Sequence, residues 1–309
     1  MKKCSRLQLY YTLFCFIVDE PRILPSAIAK KSQYSGRGRS PTTILRHISN
    51  MYEQNISQSP RLVLKPFDNC KTIAYLCKKE NAKGIKSIFN ELRSDKRITY
   101  IIMLSGNEFF ITSREENIHF RSLDLEIVEK SLLYTPIYTI PRGWNVDMNK
   151  ALETVIHHDF RKGTLPREIY GDLDWQEIDW NIFEVMRANL RTKLSIVRDR
   201  IQENYNTIKN HFFKKVLPSC TIAHYFFPRG YDYYQQLILK ARSRYEASIT
   251  EALQRLPCTS YIFPLEHDFL TVLFHEKTDV TLNAIQKLEE IGIIDNYLLF
   301  NPLMHDAPG

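Results

Sequence analysis

The chain has 309 residues, 44% apolar and 25% charged, a globular composition that excludes intrinsic disorder and predicts more than one hydrophobic core. Its formal net charge of +7 lies within residues 1–70, which hold eleven Lys or Arg and four Asp or Glu. This location favours a polyanionic partner, with nucleic acid ahead of an acidic membrane surface, although a solvated charged face is an equal alternative.

Three short helices are predicted within the first segment. Apolar side chains at Leu7, Tyr10, Phe14 and Ile17 have helical spacing, and a second helix covers residues 25–32. A third begins at Ser40-Pro41, where Ser suits the N-cap and Pro the first helical position. Three such helices around a Gly-containing turn predict a helix-turn-helix domain over residues 1–60.

The apolar run of the first helix and the cysteines indicate where in the cell the protein is expected. Its apolar run 9–18 contains two tyrosines and a threonine, ends at Asp19-Glu20 and is too short to span a membrane. The six cysteines include no Cys-x-x-Cys pair, so we expect reduced side chains and no zinc site. We therefore expect a cytoplasmic protein without membrane contact, metal or cofactor.

After residue 60 the spacing of apolar residues becomes typical of strands. The order of predicted strands and helices over residues 61–140 is β-α-β-β-α-β, which predicts a ferredoxin-like domain. Pro136 lies in the last predicted strand and indicates a sheet edge. The predicted strands are 71–78, 98–104, 108–113 and 133–140, and the predicted helices are 82–92 and 123–131.

The same order of elements follows in the second half. After a linker over 141–172, residues 173–220 are predicted to form a second helix-turn-helix and residues 221–309 a second ferredoxin-like domain. The second and third strands begin ten residues apart in each copy, at 98 and 108 and at 259 and 269. We therefore predict an α+β protein with both domains in tandem duplicate.

Each half resembles the Lrp/AsnC family of feast/famine regulators. The residues that resemble the family's opening pattern are Leu173-Asp174, Ile178-Asp179, Ile182-Phe183, Asn189 and Arg191. The resemblance implies a transcriptional regulator whose ferredoxin-like (RAM) domains pair within one chain and self-associate. It also implies an amino-acid-like effector at the turns containing Gly106, Asn107, Glu108, His267 and Asp268, although the first turn lacks the family's Asp and the second its Gly.

Double-stranded DNA is the partner that the first helix-turn-helix favours. Its candidate contacts are Arg37, Arg39, Thr42, Thr43, Arg46, His47 and Asn50, where a capped helix start and two arginines suit phosphates. The corresponding positions in the second copy are Asn206, Thr207, Lys209 and Asn210. Residues 174–220 hold eight basic and six acidic groups, so we expect this copy to bind DNA phosphates less strongly than the first. The second copy either reads a DNA half-site or serves as a spacer.

Two other clusters are more simply explained by structure. His157-His158-Asp159 could suggest a metal site, but adjacent helical residues point about 100° apart and do not easily share one ion. The aromatic run of Tyr225, Phe226, Phe227, Tyr231, Tyr233 and Tyr234 could stack on bases, but packing of the hinge against the sheets is favoured.

The sequence thus predicts a DNA-binding regulator that responds to a small metabolite and is not an enzyme. Two alternatives stay open. One is a haem-pathway decarboxylase acting on siroheme-type substrates, which uses the same scaffold and would need histidines and arginines that converge on a tetrapyrrole pocket. The other is a metabolite-binding adaptor that does not bind DNA.

Overall fold

A computed structural model describes residues 6–31, 40–81, 84–115, 118 and 120–306. It is a mixed α+β structure with three sheets. Helices α1 (Arg6–Asp19), α2 (Pro25–Lys31) and α3 (Pro41–Glu53) form the first helical unit, as predicted. The Ser40 hydroxyl accepts a hydrogen bond from the Thr43 N–H at 3.1 Å and caps α3.

The first large sheet follows a short strand, β1 (Arg61–Leu64). The strands that the first half contributes to this sheet lie in the order β5-β2-β4-β3. Helix α4 packs Ile88, Phe89 and Leu92 against one face of the sheet. The elements are β2 (Thr72–Lys78), α4 (Ile85–Ser94), β3 (Ile98–Leu104), β4 (Glu108–Ser113), a 3-10 helix (Phe120–Leu123) and β5 (Glu126–Leu133).

The predicted helix over 123–131 is wrong. Strand β5 occupies this segment and pairs with β2, with Ser131 opposite Ala74 and Glu129 opposite Leu76. As an edge strand, β5 exposes Glu126, Ile127 and Val128 in succession, so it lacks the apolar alternation that marks most strands. The β-branched Ile127 and Val128 nevertheless favour the extended backbone.

The predicted strand over 133–140 is also largely wrong. Only β6 (Ile137–Tyr138) forms, directly after Pro136, and it joins the other large sheet. The segment predicted as a linker then packs into the core of the second half. It contains α5 (Met148–Ile156), whose Met148, Leu152 and Val155 are buried because they share one apolar helix face.

The second helical unit consists of α6 (Glu177–Met186), α7 (Leu194–Ile201) and α8 (Tyr205–His211), and α8 continues as a wider turn over Phe212–Val216. The following strand, β7 (Cys220–Ala223), pairs antiparallel with β1, placing Arg61 opposite Ala223. The two helical units are therefore joined to the sheets through a shared two-stranded ribbon.

The second large sheet repeats the first. Its own strands lie in the order β11-β8-β10-β9, matching β5-β2-β4-β3 element by element. Its elements are β8 (Gln235–Arg242), α9 (Glu246–Leu253), β9 (Tyr261–Pro264), β10 (Phe269–His275), α10 (Thr278–Glu290) and β11 (Asn296–Phe300), followed by β12 (Pro302–Asp306).

The two halves exchange edge strands. β6 leaves the first half and pairs with β9, while β12 leaves the second half and pairs with β3. The sheets face each other, because Ile102 and Phe110 of the first share one buried cluster with Leu270 and Val272 of the second. The chain therefore folds as two interlocked copies related by an approximate twofold axis. None of the helices in the described ranges is long and apolar enough to cross a membrane.

Candidate functional site

The predicted DNA-binding residues on α3 do not all have the same exposure. Thr42 and Arg46 are exposed, while Thr43, His47 and Asn50 are half-buried. The His47 ring packs edge-on to Tyr10, with 6.4 Å between centroids, and burial lowers its pKa. Arg37 and Arg39 lie outside the described residues. On α8, Asn206, Lys209 and Asn210 are exposed and Thr207 is half-buried. DNA contact by either helix stays a prediction.

The two predicted effector turns have different surroundings. Gly106 and Asn107 adopt positive φ angles of 82° and 63° in a tight turn before Glu108. In the other turn His267 is exposed, and the Asp268 carboxylate accepts bonds from Lys240 at 2.6 Å and Arg242 at 2.9 Å. Within the described ranges no hydrogen bond or ion pair joins the two turns, and effector binding at them stays a prediction.

The predicted histidine pair does not assemble a metal site. His158 lies 3.9 Å from Glu251 and packs edge-on to Phe160. Across the part of the chain that the structure describes, no three His, Cys, Asp or Glu side chains are grouped so that they could hold a metal ion.

A different group of polar side chains converges between the two sheets and the β1–β7 ribbon. We call it the tyrosine cleft. Its members come from six separate segments of the chain, and they are Arg61, Tyr100, Tyr138, Tyr225, Tyr231, Tyr261 and His305.

Strand pairing brings the tyrosines of the second sheet together. Tyr138 on β6 lies directly opposite Tyr261 on β9, and their ring centroids are 5.7 Å apart. Tyr225, just after β7, lies 4.6 Å from the Tyr261 ring and 5.6 Å from the Tyr138 ring. Tyr231 contacts Phe274, which also contacts Tyr261. Stacking at these spacings orients the rings with respect to one another.

The first sheet contributes Tyr100 and His305. Side chains alternate along β3, and Ile102 and Leu104 belong to the core between the sheets, so Tyr100 lies on that same face. His305 on β12 is opposite Ile102 and therefore shares this face. The exchanged strand β12 thus brings a histidine to the cleft from near the end of the chain.

The five tyrosines differ in whether the hydroxyl already takes part in a hydrogen bond. All five rings are half-buried rather than enclosed, and desolvation raises the pKa of each. For Tyr225 the value rises to about 12, so its hydroxyl stays protonated at neutral pH. Tyr231 accepts a hydrogen bond from Gln236, whereas the other four hydroxyls have no hydrogen-bond partner among the described residues.

Arg61 supplies the charge of the cleft. It is exposed, and no ion pair or hydrogen bond links its side chain to any residue described. Its guanidinium lies close enough to favour the ionised forms of Tyr100, Tyr138 and Tyr225, opposing the desolvation that raises their pKa values. His305 is exposed near the end of β12; desolvation lowers its pKa, the neighbouring Asp306 opposes this shift and Arg61 adds to it.

One unpaired cation thus lies among neutral hydroxyl donors and a histidine that favours the neutral form. In proteins, carboxylates and phosphates accept hydrogen bonds from guanidinium and hydroxyl groups. The geometry of the tyrosine cleft therefore suits an anionic group carried on an aromatic or apolar body.

Sequence reasoning found only part of this cleft. It singled out Tyr225 and Tyr231 but favoured packing for them, and it did not identify Arg61, Tyr100, Tyr138, Tyr261 or His305. These residues are distant along the chain and meet only through pairings between the halves. One signal was present, since Tyr100 and Tyr261 each lie two residues after the equivalent starts at 98 and 259.

Solved structures of known proteins share this fold. No family model and no curated protein matches the chain. The siroheme decarboxylase NirDL has a crystal structure that matches 96% of this chain and 91% of its own, with TM-score 0.53 and 10% sequence identity. The same enzyme in co-complex with an iron-uroporphyrin III analogue matches 96% and 92%, with TM-score 0.51 and 10% identity.

At this identity the likeness establishes the fold alone, and both solved structures that share it over nearly the whole chain are of an enzyme. The prediction that the chain is not an enzyme is therefore wrong. The regulator interpretation rested on the order of secondary-structure elements, and the decarboxylase structures have that same overall architecture.

Proposed function

We propose that this chain is a decarboxylase that removes a carboxylate arm from a siroheme-type tetrapyrrole. The observation that carries the proposal is the unpaired Arg61 beside four tyrosine hydroxyls that have no hydrogen-bond partner among the described residues, because this arrangement matches the needs of a carboxylate on an apolar ring. The likeness of 96% of the chain to a siroheme decarboxylase supports the substrate class.

The reaction makes two demands on the protein. An arm R–CH2–COO⁻ and one proton give R–CH3 and CO2: the bond between CH2 and the carboxyl carbon breaks, and its electron pair stays on the CH2 carbon. A conjugated ring next to that carbon delocalises the pair until a proton arrives. The site must therefore bind the carboxylate and present a protonated acid to the CH2 carbon.

The cleft residues match these demands. Arg61 anchors the carboxylate through a charge-assisted hydrogen bond. Tyrosines are protonated at neutral pH, and desolvation raises the pKa of these residues further, so each hydroxyl is a donor. A tyrosine delivers the proton to the CH2 carbon, and the resulting phenolate is stabilised by Arg61 until it regains a proton from solvent.

The test is release of CO2 from siroheme by the full chain, with Arg61→Gln as the variant and Arg244→Gln as the control. Arg244 is exposed and lies in the turn before α9, away from the cleft. We expect the first variant to lower kcat/KM about tenfold or more, from loss of a charged hydrogen bond, and the second to leave it unchanged. Equal activity of both variants would remove Arg61 from the mechanism.

We also propose a second function, binding of duplex DNA through α3, because one observation favours it. Thr42 and Arg46 are exposed in the first two turns of α3, whose start is capped by Ser40 within the basic segment 1–70. Arg46→Ala is expected to weaken binding and reduce its salt dependence, with Lys287→Ala on α10 as the control. Equal binding by wild type and Arg46→Ala across the salt series would end this proposal.

We further infer that the halves are two helix-turn-helix units and two ferredoxin-like domains of the Lrp/AsnC kind, in a cytoplasmic protein, with a single 3-10 turn in place of the second helix of the first domain. The repeated strand order, with its exchanged edge strands, supports the duplication. An amino-acid-like effector and self-association through the sheets stay predictions from the family resemblance.

A further inference from the structure

The tyrosine cleft contains two residues that occupy equivalent positions in the two halves. Tyr100 on β3 pairs with Thr112 on β4, and Tyr261 on β9 pairs with Val272 on β10. In the repeated strand order, β3 corresponds to β9 and β4 to β10. Both tyrosines face the space between the sheets, at the same place in their own domain.

In a duplicated protein, equivalent residues usually belong to two separate sites. Here they belong to one, because Tyr100 and Tyr261 pack against the same core cluster and the Tyr225 ring lies 4.6 Å from the Tyr261 ring. Arg61 lies opposite Ala223, two residues before Tyr225, and Tyr225 is close enough to Tyr100 to raise the pKa of Tyr100. Two equivalent residues can share a site only if the site lies on the axis that relates them. The cleft therefore lies across the approximate twofold axis, not once in each half.

The rest of the cleft is not duplicated. Arg61 is on β1, and its ladder partner on β7 is Ala223, which carries no charge. Tyr225 and Tyr231 follow β7, whereas the segment that follows β1, residues 65–71, contains no tyrosine. An anionic group between Tyr100 and Tyr261 thus meets its cation from one side only.

We propose that each chain binds one carboxylate-bearing ligand, in one orientation, with Tyr100 and Tyr261 contacting the same carboxylate arm and Arg61 fixing its direction. This inference rests on the proposed function for the ligand class. It predicts a binding stoichiometry of one despite the internal duplication, and it does not depend on whether turnover follows.

The test is a titration of the full chain with iron-uroporphyrin III, followed by visible absorbance, with Tyr100→Phe, Tyr261→Phe and Arg61→Gln variants. Tyr297→Phe, on the edge strand β11, and Arg244→Gln are matched controls that retain normal binding. We expect saturation at one ligand per chain. Each cleft tyrosine variant should weaken the whole titration about two- to tenfold, and Arg61→Gln about tenfold or more.

Two ligands per chain would overturn the inference. So would a tyrosine variant in which half of the binding keeps its normal affinity, because that result assigns Tyr100 and Tyr261 to separate sites. Binding at one per chain without CO2 release would end the proposed function and leave the inference standing. Absence of any binding would overturn both.

Discussion

Arg22 and Arg191 lie on opposite sides of the interface between the two helical units. Each donates hydrogen bonds across it to backbone carbonyl oxygens on either side of the other. Arg22 donates to the carbonyl oxygens of Leu190 and Thr192, the latter at 3.0 Å. Arg191 donates to those of Pro21 and Ile23 at 2.8 and 3.0 Å. This reciprocal pair fastens the two helical units together, and it follows the approximate twofold relation of the two halves.

We expect Arg191→Ala to lower the free energy of unfolding by about 2 to 3 kcal/mol, because two part-buried carbonyls lose a charged donor. Arg198→Ala is the control, since its ion pair with Asp199 is exposed and such pairs contribute about 0 to 1 kcal/mol. Urea unfolding measures both. Equal losses in the two variants would show that the crossed pair adds nothing specific.

The buried pair of Arg167 and Glu246 fastens the segment 141–172 to the second half. Arg167 donates two bonds of 2.8 Å to the Glu246 carboxylate, which is 2% exposed and also accepts from the Leu165 N–H at 2.8 Å. Arg167→Ala leaves a buried carboxylate without its cation, so we expect a loss of about 3 to 5 kcal/mol in chemical unfolding.

The control for this pair is Arg161→Ala, whose ion pair with Asp159 is exposed on both sides. We expect it to change the unfolding free energy by less than about 0.5 kcal/mol. If Arg167→Ala proves as stable as Arg161→Ala, the pair of Arg167 and Glu246 does not stabilise the attachment of this segment.

His224 makes stability depend on pH. Its ring is buried against Phe14, with 4.7 Å between centroids, and its Nε2 lies 3.1 Å from the Ser57 hydroxyl. Burial, with a smaller effect of Arg191, lowers its pKa from 6.5 to about 3. Between these values the unfolded chain takes up a proton that the folded chain refuses, so stability falls as pH drops below 6.5.

At pH 5 this loss amounts to about 2 kcal/mol relative to pH 7, at roughly 1.4 kcal/mol for each pH unit below 6.5. His224→Gln should remove it, so the variant's unfolding free energy should fall less between the two pH values. His267→Gln, at an exposed turn, should keep the wild-type dependence. An identical pH dependence in wild type and His224→Gln would contradict the assignment.

Strand β12 both covers the edge of the first sheet and brings His305 to the cleft. Deletion of residues 301–309 should leave β3 as an unpaired edge, which favours association between chains. We expect the shortened chain to self-associate in size-exclusion chromatography, whereas His305→Gln should not. A monodisperse shortened chain that elutes like His305→Gln would contradict the covering role of β12.

Local chemistry predicted the helices best. Ser40-Pro41 marked the start of α3, and the structure begins α3 at Pro41 with Ser40 as its cap. The same reasoning failed at 123–131, where an edge strand exposes both faces and its pairing with β2 decides the structure. No pattern within one segment indicates a partner strand in another part of the chain.

The cleft was hidden from the sequence for the same reason. Tyr138 reaches Tyr261 because the end of the first half pairs with the second sheet, an exchange that neither segment signals by itself. His305 reaches the cleft by the converse exchange. The repeated tyrosine at positions 100 and 261 was visible, but its meaning depended on knowing that the two halves face each other.

The most direct test of the account is the mass of siroheme after incubation with the full chain in D2O. A decarboxylase of the proposed kind removes the mass of CO2 and adds one solvent-derived deuterium to the new methyl group for each carboxylate arm lost. Arg61→Gln should slow this change strongly and Arg244→Gln should not. Siroheme recovered at its original mass after prolonged incubation with folded protein would contradict the proposed decarboxylase function.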